Sequence, residues 1–178
     1  MNRRKPRRAL TRTDVDGIID VFHHAFRIGL PLNVQVTVML EETDRLPVAA
    51  RCAAYDRIKN LIGQFARRHR FETASLWARE IDARGYGEHI HILCHMPPAM
   101  FSHFQRLAMG WLAGSTEIDI RRICPQQTVA RDGKWHSPAL YLAKQMSPQA
   151  AFKRPLRRIK GGIIEGLRWG MSRNLRRP

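Results

Sequence analysis

The sequence predicts an α+β fold in which helices pack on one face of an antiparallel sheet. Three observations carry that expectation. Several short apolar runs alternate with period two, other stretches place apolar residues at helical spacing, and the two kinds of segment interleave along the chain.

Taken in order, residues 1–13 read as a flexible basic arm that includes Arg3, Arg4, Arg7 and Arg8. Residues 14–26 suit a short helix, with Thr13 or Asp14 as its cap. Residues 33–40 alternate and are rich in β-branched side chains, which predicts a strand. Residues 48–69 place Val48, Cys52, Tyr55, Ile58, Ile62 and Phe65 on one stripe of a long helix. Residues 73–82 and 88–94 form two strands around the turn Arg84-Gly85-Tyr86-Gly87, a hairpin. Pro97-Pro98 closes the second strand and opens a helix over 98–112. Residues 117–123 suit a fourth strand, and 131–134 a polar turn. Ser137 caps a last helix with Pro138 at its first position, running through Tyr141 to Met146.

The order is strand, helix, strand, strand, helix, strand, then an added helix that carries Tyr141. That is the split βαβ, ferredoxin-like arrangement. A chain of 178 residues can bury a core of this size. We expect a domain over 14–152, with the basic arm before it and a basic Gly/Arg-rich extension over 153–178.

The formal net charge of +16 is unevenly spread. Residues 1–12 hold six Arg/Lys and no acid, and 153–178 hold nine against Glu165 alone. The body between them has sixteen basic and fourteen acidic residues. Basic ends around a nearly neutral body point to a polyanion, and nucleic acid is the expected partner. In the extension, Lys153, Arg154, Arg157, Arg158, Lys160, Arg168 and Arg173 would meet phosphates, and Trp169 could stack on a base.

No apolar run approaches the roughly 18 residues of a membrane span. No signal peptide is evident, and Cys52, Cys94 and Cys124 are too scattered for a disulfide framework. A cytoplasmic, DNA-associated protein with no membrane partner is expected. A GxxxxGK[ST] loop is absent, which excludes a fused ATPase or helicase.

The chemistry centres on His89-Ile90-His91. In a strand both imidazoles share one face and can grip one cation, while Ile90 and Ile92 face a core. Glu80, on the preceding strand of the hairpin, can bring a carboxylate to the same place, or pair with Arg79 or Arg84 instead. Two imidazoles and a carboxylate with open positions suit Mg²⁺ or Mn²⁺. On the last helix Tyr141, Lys144 and Gln145 share one side. A metal or ammonium beside a phenol favours the phenolate, a nucleophile.

The segments GEHIHILCHMP (87–97) and YLAKQ (141–145) resemble the second and third motifs of HUH endonucleases, in which a hydrophobic residue separates two metal-binding histidines. That group includes rolling-circle replication initiators, relaxases and single-tyrosine transposases, and the resemblance spans about residues 33–146. It implies a metal-dependent nicking endonuclease and strand transferase acting on single-stranded or hairpin origin DNA. The product would be a 5′-phosphotyrosyl protein and a free 3′-hydroxyl. Tyr141 would be the nucleophile, Lys144 its helper, and His89 and His91 metal ligands. The third ligand would be Glu80, as in initiators, or Gln145, as in some transposases.

A plasmid or phage-like bacterial initiator that borrows a host helicase and replication machinery is the first expectation. The second is a single-tyrosine transposase, whose active dimers set each tyrosine helix against the partner's histidines. A non-catalytic nucleic-acid-binding module is the alternative of another class, although such modules usually expose aromatics where this strand shows histidines.

Overall fold

The computed structural model describes residues 9–40, 46–111, 116–125, 128–129, 135–152 and 158–176. Its helices are α1 (Arg12–Arg27), α2 (Val48–Arg68), α3 (Phe101–Ala108), α4 (Pro138–Leu142) and α5 (Pro148–Ala151). Its strands are β1 (Val34–Leu40), β2 (Ser75–Glu80), β3 (His89–Cys94), β4 (Thr116–Arg122), β5 (Thr128–Val129), β6 (Trp135–His136) and β7 (Trp169–Met171). Five strands make one sheet in the order β4-β1-β3-β2-β7, every neighbouring pair antiparallel. The first four stand in the order a split βαβ unit requires, and the α+β, ferredoxin-like expectation holds. Among the described residues no helix is long and apolar enough to cross a membrane.

The central strands β2 and β3 divide their side chains between two cores. Val34, Val36 and Val38 of β1, Ile90 and Ile92 of β3 and Ile118 and Ile120 of β4 meet Tyr55, Ile58, Ile62 and Phe65 of α2 and Phe104 of α3. These are the two helices expected on one face. The opposite face carries a second layer: Leu76, Ala78 and Leu93 pack against Val15, Ile18 and Phe22 of α1 and Ala139, Leu142 and Met146 around α4. The apolar residues of β2 and β3 on that face need such cover, because exposed they would forfeit roughly 25 cal/mol per Å².

Helix α1 starts two residues earlier than expected. Thr11, not Thr13 or Asp14, is the cap: its Oγ1 accepts from Asp14 N at 3.2 Å, and Asp14 Oδ2 accepts from Thr11 N at 2.9 Å. The expected basic arm therefore ends before residue 13, and Leu10 is buried in the second core. Arg3, Arg4, Arg7 and Arg8 lie outside the described residues, as do Lys153, Arg154, Arg157 and the 131–134 turn.

The largest departure is at the C-terminal end. The described part of the expected DNA-binding extension returns to the sheet, where β7 adds to the edge of β2 with Leu76↔Met171 and Ala78↔Trp169 in register. The Trp169 indole donates to Asp14 Oδ1 at 2.9 Å and packs against Gly17, where a Cβ would come within 3.0 Å of the ring. Leu175 is buried in the second core. Apolar residues interspersed among the arginines make this packing possible.

Because Leu175 is a core residue, Leu175→Ala should lower the unfolding free energy by roughly 2–5 kcal/mol, the range for a truncated buried leucine. The exposed neighbour substitution Arg173→Ala should leave it nearly unchanged. Urea denaturation of both variants is the measurement, and an unaffected Leu175→Ala would detach this segment from the core.

Candidate metal centre and active site

Register sets the site. Glu80 lies directly opposite His89 across the β2–β3 pair, and His91 lies opposite Thr37 of β1. Alternation along β3 puts both imidazoles on one face, where Glu80 Oε2 lies 3.3 Å from His89 Nε2 and 3.4 Å from His91 Nε2. Glu80 and His91 are buried, and His89 is partly open. Glu80, His89 and His91 form a cluster whose ligand atoms all lie within 4.8 Å of one another and could hold a metal ion.

The tautomers follow from the other ring nitrogens. His89 Nδ1 lies 2.8 Å from the Gly87 carbonyl, which can only accept, so Nδ1 carries the proton. Gly87 has φ of +63°, a left-handed conformation that aims this carbonyl back at the ring and favours glycine. His91 Nδ1 lies 2.9 Å from Thr37 Oγ1, and its Nε2 accepts from the Lys144 ammonium at 3.1 Å. Both Nε2 lone pairs and a carboxylate oxygen therefore converge. Among the described residues Glu80 Oε1 is buried without a hydrogen-bond partner. Such a set of donors is stable only around a cation, and the residues fit a divalent ion.

In the structure Lys144 provides positive charge at this point. Its Nζ lies 2.8 Å from Glu80 Oε2 and 3.8 Å from the centre of the Tyr141 ring. Burial alone would raise the Glu80 carboxyl. Its charged surroundings, the Lys144 ammonium among them, outweigh that and hold it well below the usual carboxylate range. Burial pushes the His91 imidazole down, against the pull of Glu80.

Tyr141 comes to the same place from α4. Its ring stands edge-on to His91, centroids 5.4 Å apart, and is partly exposed to solvent. Ser137 stands at the N-cap position of α4 but its side chain makes no capping hydrogen bond; Pro138 opens the helix as expected, and the helix stops at Leu142 instead of 146. It stops because Leu10 pairs with the chain there: Leu10 N donates to Gln145 O at 3.0 Å, and Ser147 N to Leu10 O at 2.8 Å. Lys144 still turns toward Tyr141, whereas Gln145 turns away.

Gln145 is accordingly not a metal ligand. Its Nε2 donates to Ile81 O at 2.7 Å, and its Oε1 accepts from Ile81 N at 3.3 Å and from Arg168 Nη2. With both ends of the amide engaged, Glu80 is the third ligand the geometry supports. Arg168 is likewise no phosphate contact, since its guanidinium is buried against Gln145 and the Gly162 carbonyl. Trp169 is committed to Asp14 and Gly17. Lys160 and Arg173 are exposed and Arg158 is half-buried.

Glu80 has no ion pair with Arg79 or Arg84. Arg84 pairs with Asp82 in the hairpin loop. Arg79 points to the opposite face of the sheet, where its Nε donates to Glu88 Oε1 at 2.7 Å and its Nη2 makes a second bond to the same oxygen. Glu88 Oε2 also lies 3.2 Å from Arg51, and the Tyr55 hydroxyl donates to the Glu88 carbonyl at 2.9 Å. This buried group fixes the residue just before His89. Sequence reasoning missed it, although Arg79 and Glu88 were visible as charges on an otherwise apolar face. Burial, then Glu88, pushes the Tyr55 phenol well up, so Tyr55 is no rival to Tyr141 as a nucleophile. Cys94 is buried and Cys124 exposed, and neither joins the metal cluster. No family model, curated protein or solved structure matches the chain.

The metal-free protein should lose stability on acidification in two steps. His91, lowered in the fold, favours folding fully only above the unfolded histidine pKa of about 6.5, so stability falls as pH drops through that value toward the folded one. Glu80, also lowered, adds a second loss below about 4.3. Denaturant melts from pH 8 to pH 3 check this, and His91→Gln should remove the step near neutrality.

Proposed function

We propose that this protein is a metal-dependent endonuclease that nicks single-stranded or hairpin DNA with Tyr141 as nucleophile. The observation that carries the reading is the position of Tyr141, whose ring stands against His91 and under the Lys144 ammonium. A structural tyrosine would not need to lie where three electron-pair donors converge on a positive charge.

The Tyr141 oxygen would attack the phosphorus of a phosphodiester. The new O–P bond forms as the bond to the 3′-oxygen breaks, leaving a 5′-phosphotyrosyl protein and a free 3′-hydroxyl. The phenol proton leaves to solvent, and the departing 3′-oxygen takes one from water. Lys144 would balance charge on the phosphate oxygens. A divalent ion held by Glu80, His89 and His91, Mg²⁺ or Mn²⁺, would polarise the scissile phosphate. Exposed Lys160 and Arg173 remain available to the DNA backbone.

Tyr141 lies against His91 of its own chain, and a replication initiator is the first reading, with a single-tyrosine transposase working in trans as the alternative. Such an initiator would act at a plasmid or phage-like origin in a bacterial cytoplasm, with a host helicase and replication machinery. A non-catalytic binding module remains the reading to be tested against.

With Mn²⁺ and labelled single-stranded hairpin DNA, the wild-type chain should form a covalent adduct that Tyr141→Phe abolishes. Mixing Tyr141→Phe with the His89→Ala/His91→Ala chain should not restore it. An adduct that persists in Tyr141→Phe overturns the assignment of the nucleophile, and no adduct at all favours the binding module.

Lys144→Met should separate binding from chemistry. Like unit charges 4 Å apart repel by about 4 kcal/mol at an effective dielectric near 20, so losing the ammonium should tighten Mn²⁺ binding by at least about tenfold while adduct formation falls. Isothermal titration with Mn²⁺ and single-turnover cleavage read the two effects.

A further inference from the structure

Glu80 and Lys144 face each other at the site, and the residues that follow them are joined behind it. The Gln145 carboxamide pairs with both backbone groups of Ile81, much as a neighbouring strand would. That pairing ties the end of β2 to the turn after α4. The C-terminal segment then closes over the joint. Arg168 Nη2 donates to Gln145 Oε1, and Nη1 donates to Gly162 O at 3.3 Å. Gly162 N donates to Ile81 O at 3.2 Å, and Ile159 N to Lys144 O at 2.9 Å.

The fit leaves no room for a side chain. A Cβ on Gly161 would lie 2.4 Å from Gln145 Oε1 and 2.8 Å from Arg168 Nη2. A Cβ on Gly162 would lie 2.4 Å from the Asp82 carbonyl. The segment is also anchored at the edge of β2, where Arg79 N donates to Arg168 O at 2.8 Å, and on the other side of the sheet, where Arg79 Nη1 donates to Glu165 O at 2.7 Å.

We infer that Arg168 is a positioning residue for the metal centre: by holding Gln145 against both backbone groups of Ile81, it sets the placement of the adjoining Glu80 carboxylate. The C-terminal segment is thus part of the active site although it supplies no ligand. Burial lowers the Arg168 guanidinium to about 10, and attraction to Glu80 opposes that shift, so its charge also supports the carboxylate from behind. The inference rests on the proposed metal-dependent chemistry, but its first readout does not need DNA.

The test uses the full chain and Mn²⁺ alone, by isothermal titration, then single-turnover adduct formation. Arg168→Met should weaken Mn²⁺ binding roughly 10–100-fold, the scale for groups that orient metal ligands, while DNA affinity changes less than about twofold. Arg168→Lys should recover part of that loss. Gly161→Ala, whose Cβ would press first on the Gln145–Arg168 contact, should weaken Mn²⁺ binding in the same direction and serves where Arg168→Met does not fold. Trp169→Ala, on the same segment but turned to α1, should lower the melting temperature and leave Mn²⁺ affinity unchanged. Unchanged Mn²⁺ affinity in folded Arg168→Met and Gly161→Ala, or an equal loss in Trp169→Ala, overturns the positioning role. Because Mn²⁺ binding is read without DNA, the role is decided even where no adduct forms and the nicking reading fails.

Discussion

Three electron-pair donors cannot be buried together without positive charge among them, and the rest of the site follows from that constraint. Glu80 Oε2 and the two histidine Nε2 atoms meet on the inner face of a sheet that is largely sealed by helices. An unpaired buried carboxylate would cost several kcal/mol, and Lys144 relieves it. Lys144 reaches it from the turn after α4, a turn that pairs with Leu10 through Gln145 and Ser147.

The opposite face of the same hairpin carries its own buried ionic group, Arg79 with Glu88 and Arg51. Along β2 and into β3 the charged residues therefore alternate: Arg79 and Glu88 on one side, Glu80 and His89 on the other. A slip of one residue would exchange the faces, setting histidines into the α2–α3 core and an arginine among the metal ligands. Buried ion pairs of this kind add little net stability, since desolvation offsets attraction. Their effect here is on register, and the geometry of the Glu80–His89–His91 cluster depends on register.

Chemically, the arrangement separates tasks among neighbours. His89 and His91 have their outer nitrogens bound by Gly87 and Thr37, so their inner nitrogens are aimed before any ion arrives. Lys144 touches both the carboxylate and the phenol ring, linking the cation site to the proposed nucleophile. Gln145, one residue further, belongs to the scaffold instead. Adjacent residues at a helix end can serve such different purposes because the chain changes direction between them.

Much of this could be read in the residues themselves. The period-two alternation of β1, β2 and β3 and the helical stripe of α2 report burial on one side, so they disclose the sheet, its main helices and the shared face of His89 and His91. Glu80 as their partner followed from hairpin pairing. The choice between Glu80 and Gln145 did not, because it turns on where α4 ends, and that depends on Leu10, about 135 residues away in sequence. The C-terminal segment misled for a related reason: its arginines signal a polyanion partner by count, but burial of Arg168 and pairing of β7 with β2 are set by contacts local composition does not encode. Local pattern determines which face of an element is apolar; only the assembled chain decides which distant residue comes to lie against it.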